Sequence, residues 1–171
     1  MKNHVIQCTI VAAGVLLFLT LTGCAHRAIN GTDSTSENIA LVKRFIDQVV
    51  NGGDINAVDK LWTQDMQWHS ASMPDVKGRG AYKKMLEASV GGAFTDMHLE
   101  IMDVIAQSDK VVLYFTNSGT NTGDFMGHKA TGKHAKWIGM GIYRIENGRI
   151  AEAWFSEDIL GMFMQLGLIK M

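Results

Sequence analysis

Apolar residues fall at helical spacing in the first half of the chain and alternate in the second. Leu41, Val42, Phe45, Ile46, Val49 and Val50 recur three and four residues apart, which marks one face of an amphipathic helix. Ser34-Thr35-Ser36-Glu37 is a capping-box pattern that starts it, and Gly52-Gly53 ends it. A short second helix carries Ile55, Val58, Leu61 and Trp62. Residues 65–70 read as extended, and Gly78-Arg79-Gly80 turns the chain into a third helix over 81–90. From Leu99 the period changes: Leu99, Ile101 and Asp103 alternate with Met102 and Val104. Ser108-Asp109-Lys110 is a turn, Val111 to Phe115 begins a strand, and residues 117–135, rich in Gly, Thr and Asn, read as a long loop or loose hairpin. Lys136 to Ile145 is another strand, Asn147-Gly148 a hairpin turn, and Ile150 to Phe155 pairs back. Asp158 to Leu168 closes the chain as a helix. Helices followed by a run of antiparallel strands predict an α+β fold. Three helices would rest on a curved sheet as a cone, with no repeat and no second domain.

The first 23 residues follow a different pattern. They hold one charge, Lys2, then an apolar run from Val11 to Leu21. A basic start, a short apolar core and a small-residue exit describe a secretory signal; the run is about half of the ~20 residues that a membrane-spanning helix needs. The exit, Leu21-Thr22-Gly23-Cys24, resembles the lipobox of bacterial lipoproteins. That resemblance implies a diacylglycerol thioether on Cys24, which becomes the new N-terminus. Ala25 after the cysteine then implies the outer membrane, periplasmic side, rather than the inner membrane. The alternative is an ordinary secreted protein in which Cys24 is incidental. The organisation is therefore residues 1–23 as signal peptide, 24–36 as a lipidated polar tether, and 37–171 as the domain. Acyl chains at ~0.8 kcal/mol per buried methylene would hold it to a bilayer. Cys8 falls in the removed segment, so no free thiol is left for chemistry.

Composition narrows the class without naming a function. Of 171 residues, 47% are hydrophobic and 19% charged, and the net charge is −1. The chain is too apolar to be disordered and lacks the basic excess of a nucleic-acid binder. Two cysteines make no disulfide framework. No His or carboxylate pair has metal-ligand spacing, and there is no phosphate-binding glycine loop.

Seven short segments carry a family resemblance. They are Phe45-Ile46 with Asn51-Gly52-Gly53-Asp54; Asp65 and Trp68-His69; Gly78-Arg79-Gly80; Gly119-Thr120 through Met126-Gly127; Thr131-Gly132; Tyr143-Arg144-Ile145 with Gly148-Arg149-Ile150; and Glu152, Trp154, Asp158 and Gln165-Leu166-Gly167. Their order resembles the SnoaL-like polyketide cyclases and ester cyclases, within the nuclear transport factor 2-like superfamily, over about Glu37 to Ile169. The resemblance implies the cone-shaped fold and a cofactor-free enzyme. In such an enzyme a carboxylic acid in an apolar cavity shuttles a proton while an enolate closes a ring. Burial raises a carboxyl pKa toward neutrality, where one group can take and give a proton. The chain departs from the family at the decisive place. The position of the family's catalytic aspartate falls on Phe155, and the polar positions of the preceding strand fall on Gly139 and Gly141.

The remaining polar residues offer candidates for a replacement acid. His69, after Trp68 on a strand entering the cone, is a candidate base or donor, or a structural histidine. Glu152 could replace the missing acid if it and Trp154 face inward; strand alternation allows either facing. Asp158 is a third candidate, or the cap of the last helix. His98 and His134 read as exposed, and His128 as a loop residue able to cap the cone mouth. Trp68, Met126, Tyr143, Trp154 and Phe155 are candidate pocket walls, with Gly139 and Gly141 leaving either volume or freedom to bend. The methionines suit irregular space.

Together these readings give an envelope domain that encloses a small apolar, carbonyl-containing ligand, with His69, Glu152 and Asp158 as its polar groups and no cofactor or metal. The alternative is a non-catalytic binding or interaction module that has lost the family's acid. The resemblance also implies a homodimer. The partners expected are the ligand and, through the N-terminal lipid, the membrane; nucleic acid is not among them.

Overall fold

The computed structural model describes residues 31–170. The segment expected to be a signal peptide, and Cys24, lie outside the described residues. The first helix, α1, spans Gly31–Phe45 and continues as a π-helical turn over Ile46–Asn51. Its stripe is buried as the spacing requires: Leu41, Val42, Phe45, Ile46 and Val49 have almost no exposure. The π-turn aims Asn51 at the sheet. Asn51 Nδ2 donates to the Leu99 carbonyl at 3.0 Å and its Oδ1 accepts from the Leu99 amide at 2.7 Å. One side chain thus stands in for a neighbouring strand. Asp54 caps the 3₁₀ turn Ile55–Ala57, which runs into α2, Val58–Leu61. Helix α3, Arg79–Ser89, starts after Gly78, whose φ of 81° is open to glycine at little cost.

Six strands form one sheet: β1 (Trp62–Ser70), β2 (Val76–Lys77), β3 (Phe94–Gln107), β4 (Lys110–Asn121), β5 (His134–Glu146) and β6 (Arg149–Glu157). Their order is β2-β1-β6-β5-β4-β3. The expectation of an antiparallel sheet needs one correction. The β1–β6 ladder is parallel, because the chain leaves β1, builds the other half of the sheet and returns beside it in the same direction. The α+β cone is otherwise as the pattern predicts, with the helices packed on one face. Helix α4, Ile159–Leu166, closes the chain, capped at its start by Asp158.

The glycine- and threonine-rich stretch expected as a loop is half strand. β4 continues to Asn121 and β5 begins at His134, with Gly119 opposite Ala135 and Thr120 opposite His134. Only residues 122–133 form the loop, organised by Asn121. Its Oδ1 accepts from the Thr131 amide and hydroxyl, and its Nδ2 donates to the Ala93 and Gly123 carbonyls.

The apolar interior divides in two. A larger cluster joins α1, α2 and α3 to the inner sheet face through Phe45, Trp62, Tyr82, Phe115 and Tyr143. A smaller one joins α4 to the far end of β5 through Phe94, Trp137, Met162 and Phe163.

Candidate functional site

Between the two clusters lies a cavity of about 130 Å³. It is lined almost wholly by rings, aliphatic chains and thioethers, among them Trp68, Tyr82, Phe94, Phe115, Phe125, Phe155, Met85 and Met162. Its polar wall is the group Asn117, Trp137 and Glu157, with Ser89 elsewhere on the lining. None of the lining residues is Lys, Arg or His.

Strand alternation and glycine build this wall. On β6, Ala153, Phe155 and Glu157 share the inner face. On β5 the inner positions are Trp137, Gly139, Gly141 and Tyr143. Gly141 stands opposite Phe155 and Gly139 opposite Glu157. A Cβ at Gly141 would lie 2.9 Å from the Phe155 ring. One at Gly139 would lie 2.6 Å from the Phe115 ring and 2.8 Å from Glu157 Cγ. The two glycines therefore make room for phenyl rings and for the carboxylate stem.

Glu157 is the acid of this cavity. Trp137 Nε1 donates to its Oε2 at 2.7 Å, and Asn117 Nδ2 donates to the same oxygen at 2.9 Å. Burial raises its pKa above the ordinary glutamate value, and the two donors offset part of that rise. With both donors on Oε2, the other oxygen remains to carry or accept a proton. Tyr143 is buried beside this region, and burial, with the nearby Glu157 charge, holds its phenol well above the usual range.

The residues singled out from sequence are placed differently. His69 and Glu152 sit on the outer face of the sheet, and their expectation as pocket groups is corrected. Ala153 and Phe155 take the inner face, so Glu152 and Trp154 take the other. There His69 Nδ1 meets Asp75 at 2.9 Å, its Nε2 meets Glu152 at 3.1 Å, and its ring stacks on Trp154. Arg144 Nε reaches Glu152 at 3.0 Å and completes a cross-strand chain. Asp158 is spent on the α4 cap, accepting from the Gly161 amide at 2.8 Å.

Of the expected walls, Trp68 and Phe155 line the cavity. Tyr143 is core behind Phe155, with ring centroids 5.5 Å apart. Gly139 and Gly141 face inward but border rings, not open volume. Met126 is 41% exposed and points away, and Phe125 takes the cavity position in its place. Glu157 and its donor Asn117 are not among the candidates the sequence offers, whereas Trp137 is one of the tryptophans expected to line an apolar cavity. The available signal was the period of two: if Phe155 is inward, Glu157 is as well.

Residues 40–166 match the SnoaL-like polyketide cyclase family. No curated protein matches the chain. Among solved structures it is similar to AclR, a candidate hydroxylase from Streptomyces galilaeus. That pair has 26% identity and a TM-score of 0.70, covering 80% of this chain and 99% of that one. A candidate SnoaL-like polyketide cyclase from Jannaschia sp. CCS1 shares 17% identity over 80% of this chain and 95% of its own, with a TM-score of 0.73. An LEH-like epoxide hydrolase from M. tuberculosis shares 18% over 79% and 92%, with a TM-score of 0.64.

Proposed function

The chain belongs to the SnoaL-like polyketide cyclase family, and from that premise we propose that its cavity takes up a small, neutral, carbonyl-containing molecule and moves a proton at the carbon beside the carbonyl, with Glu157 as the acid–base group. The observation that carries this reading is the Glu157 carboxyl in an apolar cavity, held through one oxygen by Trp137 and Asn117. The names of its structural relatives span hydroxylase, cyclase and epoxide hydrolase, so the scaffold alone does not select a reaction.

The position at which the family resemblance implies an aspartate is filled by Phe155, which cannot move a proton. Glu157 lies two residues further on the same strand face, one step along the cavity wall. Its raised pKa makes the ionised form a stronger base and keeps the protonated form present closer to neutrality. The carboxylate removes a proton from the α-carbon, and the electron pair of that C–H bond moves into the carbonyl to give an enolate. The carboxylic acid then returns the proton to carbon. In a cyclisation the enolate carbon would instead attack a second carbonyl, and the same acid would protonate the resulting alkoxide.

Cavity size bounds the guest. About 130 Å³ is close to the ~150 Å³ apolar cavity that accommodates a benzene-sized molecule, and is below the 300–1,000 Å³ of typical drug-sized sites. A single ring or a short chain fits.

The test is deuterium incorporation at the α-carbon of small neutral ketones in D₂O, followed by NMR. The wild-type protein exchanges the α-proton above background, and Glu157→Gln does not. Binding of the same ketones with no exchange in the wild type would favour the non-catalytic alternative. We further propose that the domain works at the cell envelope, held by a lipid on Cys24; the Leu21-Thr22-Gly23-Cys24 sequence supports this.

A further inference from the structure

Among the described residues two amide side chains are buried, Asn117 and Asn121. They differ in one respect. Asn121 satisfies its oxygen and its nitrogen with four partners and serves as a loop organiser. Asn117 uses only its nitrogen, on Glu157, and its buried Oδ1 has no partner. An unmet buried acceptor is costly, and this one belongs to a side chain lining the cavity. The neighbouring carboxyl of Glu157 takes both of its donors on Oε2, so its Oε1 accepts from neither Asn117 nor Trp137. The polar wall therefore sets one unpartnered amide oxygen beside a carboxyl, in a cavity whose other walls are, Ser89 apart, largely apolar.

Charge narrows the class further. No cation lines the cavity, so a carboxylate or phosphate guest would meet Glu157 with nothing to neutralise either group. We propose that the site is specific for a neutral, single-ring-sized molecule bearing a hydroxyl or enol group, which donates to Asn117 Oδ1 and meets the free oxygen of Glu157. This rests on the cavity assignment above and narrows its substrate class: neutral carbonyl compounds that present a hydroxyl or enolise readily are held more tightly than simple hydrocarbons of the same size. A site with an unmet polar group discriminates strongly against a ligand that leaves it unmet.

The experiment is a calorimetric ranking of four probes of similar size against the full-length protein at pH 7: phenol, toluene, benzylamine and benzoate. Phenol is expected to bind at least about tenfold more tightly than toluene, a difference of about 1.4 kcal/mol, with benzoate weakest. Asn117→Leu, near in size but lacking the acceptor, is expected to bring the phenol-to-toluene ratio to about one without weakening toluene. Equal affinities in the wild type overturn the inference, as does no binding of phenol, benzylamine binding tightest, or a ratio that survives in Asn117→Leu. Should Asn117→Leu not fold, the wild-type ranking decides alone. Glu157→Gln separates this inference from the proton-transfer reading. It is expected to lose exchange yet keep the phenol preference, because Asn117 Oδ1 remains. Exchange with no phenol preference in the wild type sinks the ligand class and leaves the catalytic reading standing.

Discussion

Gly139 on β5 stands directly opposite Glu157 on β6, and a Cβ built on the glycine would lie 2.8 Å from the Cγ of the glutamate. The carboxylate stem thus lies where a side chain at position 139 would have to go. The same absent side chain admits the Phe115 ring, at 2.6 Å from the same point. A family position that resemblance implies to be polar has here been emptied, and the space is shared by a ring and an acid from the two flanking strands.

Gly139→Ala is the direct test of that relationship. The added methyl must displace the Phe115 ring, Glu157 or both, and overpacking of this kind costs about 1–3 kcal/mol. The urea midpoint is expected to fall with no change in slope, and α-proton exchange is expected to fall with it because Glu157 moves. An alanine variant as stable and as active as the wild type would mean that the glycine holds no space for the acid.

The pH dependence of stability follows from the raised pKa of Glu157. A carboxyl with a higher pKa folded than unfolded binds more protons in the native state between the two values. Stability is then fullest below the unfolded value, near 4.5, and is lost as pH rises through the folded value. Glu157→Gln cannot ionise. Unfolding curves of the two proteins should therefore diverge as pH is raised above 4.5, with the glutamine variant gaining relative to wild type and the difference levelling off once the native carboxyl is ionised. Parallel curves throughout would place the carboxyl in water.

His69→Ala separates the outer face from the cavity. The His69–Asp75 and His69–Glu152 contacts and the Trp154 stack join β1, β6 and the segment before β2 on the side of the sheet away from the cavity. Partly exposed polar contacts of this kind contribute about 0–1 kcal/mol, so the variant is expected to lose no more than roughly that in unfolding free energy measured by urea titration. Ligand affinity and exchange rate should be unchanged. A drop in exchange with stability intact would bring His69 into the mechanism.

Much of the fold was legible because burial acts through simple periods. The α1 stripe, the Gly78 break before α3, the Asn147-Gly148 hairpin and the Asp158 cap each follow from one local rule. The alternation visible in sequence marks only part of β3, because its pairing shifts between Thr95 and His98 and again between Ile101 and Asp103, and each bulge resets the period. The far half of β4 looks like loop in sequence because its Gly, Thr and Asn side chains alone signal a turn, although they pair there as strand. The site was harder for a related reason. Alternation states that Glu152 and Trp154 face opposite to Phe155, but not which set faces the helices. That choice is made by partners distant in sequence: Gly141 makes room for Phe155, and Gly139 for Glu157. The donors on Glu157, Asn117 and Trp137, come from two other strands and share no local motif with it.

Attachment at the envelope is open to a simple experiment in the producing cell. If Cys24 carries the lipid, the wild-type chain incorporates labelled fatty acid and fractionates with membranes, whereas Cys24→Ser remains unlabelled and unanchored. Equal labelling of the two would move the modification elsewhere.

Trp137→Phe probes the tuning of the acid itself. The indole has two roles: its ring packs on Phe94, with centroids 5.5 Å apart, and its Nε1 donates to Glu157 Oε2. Phenylalanine keeps a ring against Phe94 and deletes the donor. That donor favours the charged carboxylate and so opposes the effect of burial. Its loss should carry the Glu157 pKa further upward, with Asn117 as the remaining donor on the carboxyl. If exchange requires the ionised carboxylate as base, the acidic limb of its pH profile moves to higher pH in the variant. The maximal rate is then expected to rise on the alkaline side, because a base of higher pKa takes a proton more readily. A limb that stays in place while the overall rate falls would show that the titrating group is not the carboxyl Trp137 holds, and Glu157 would lose its place as the acid–base residue.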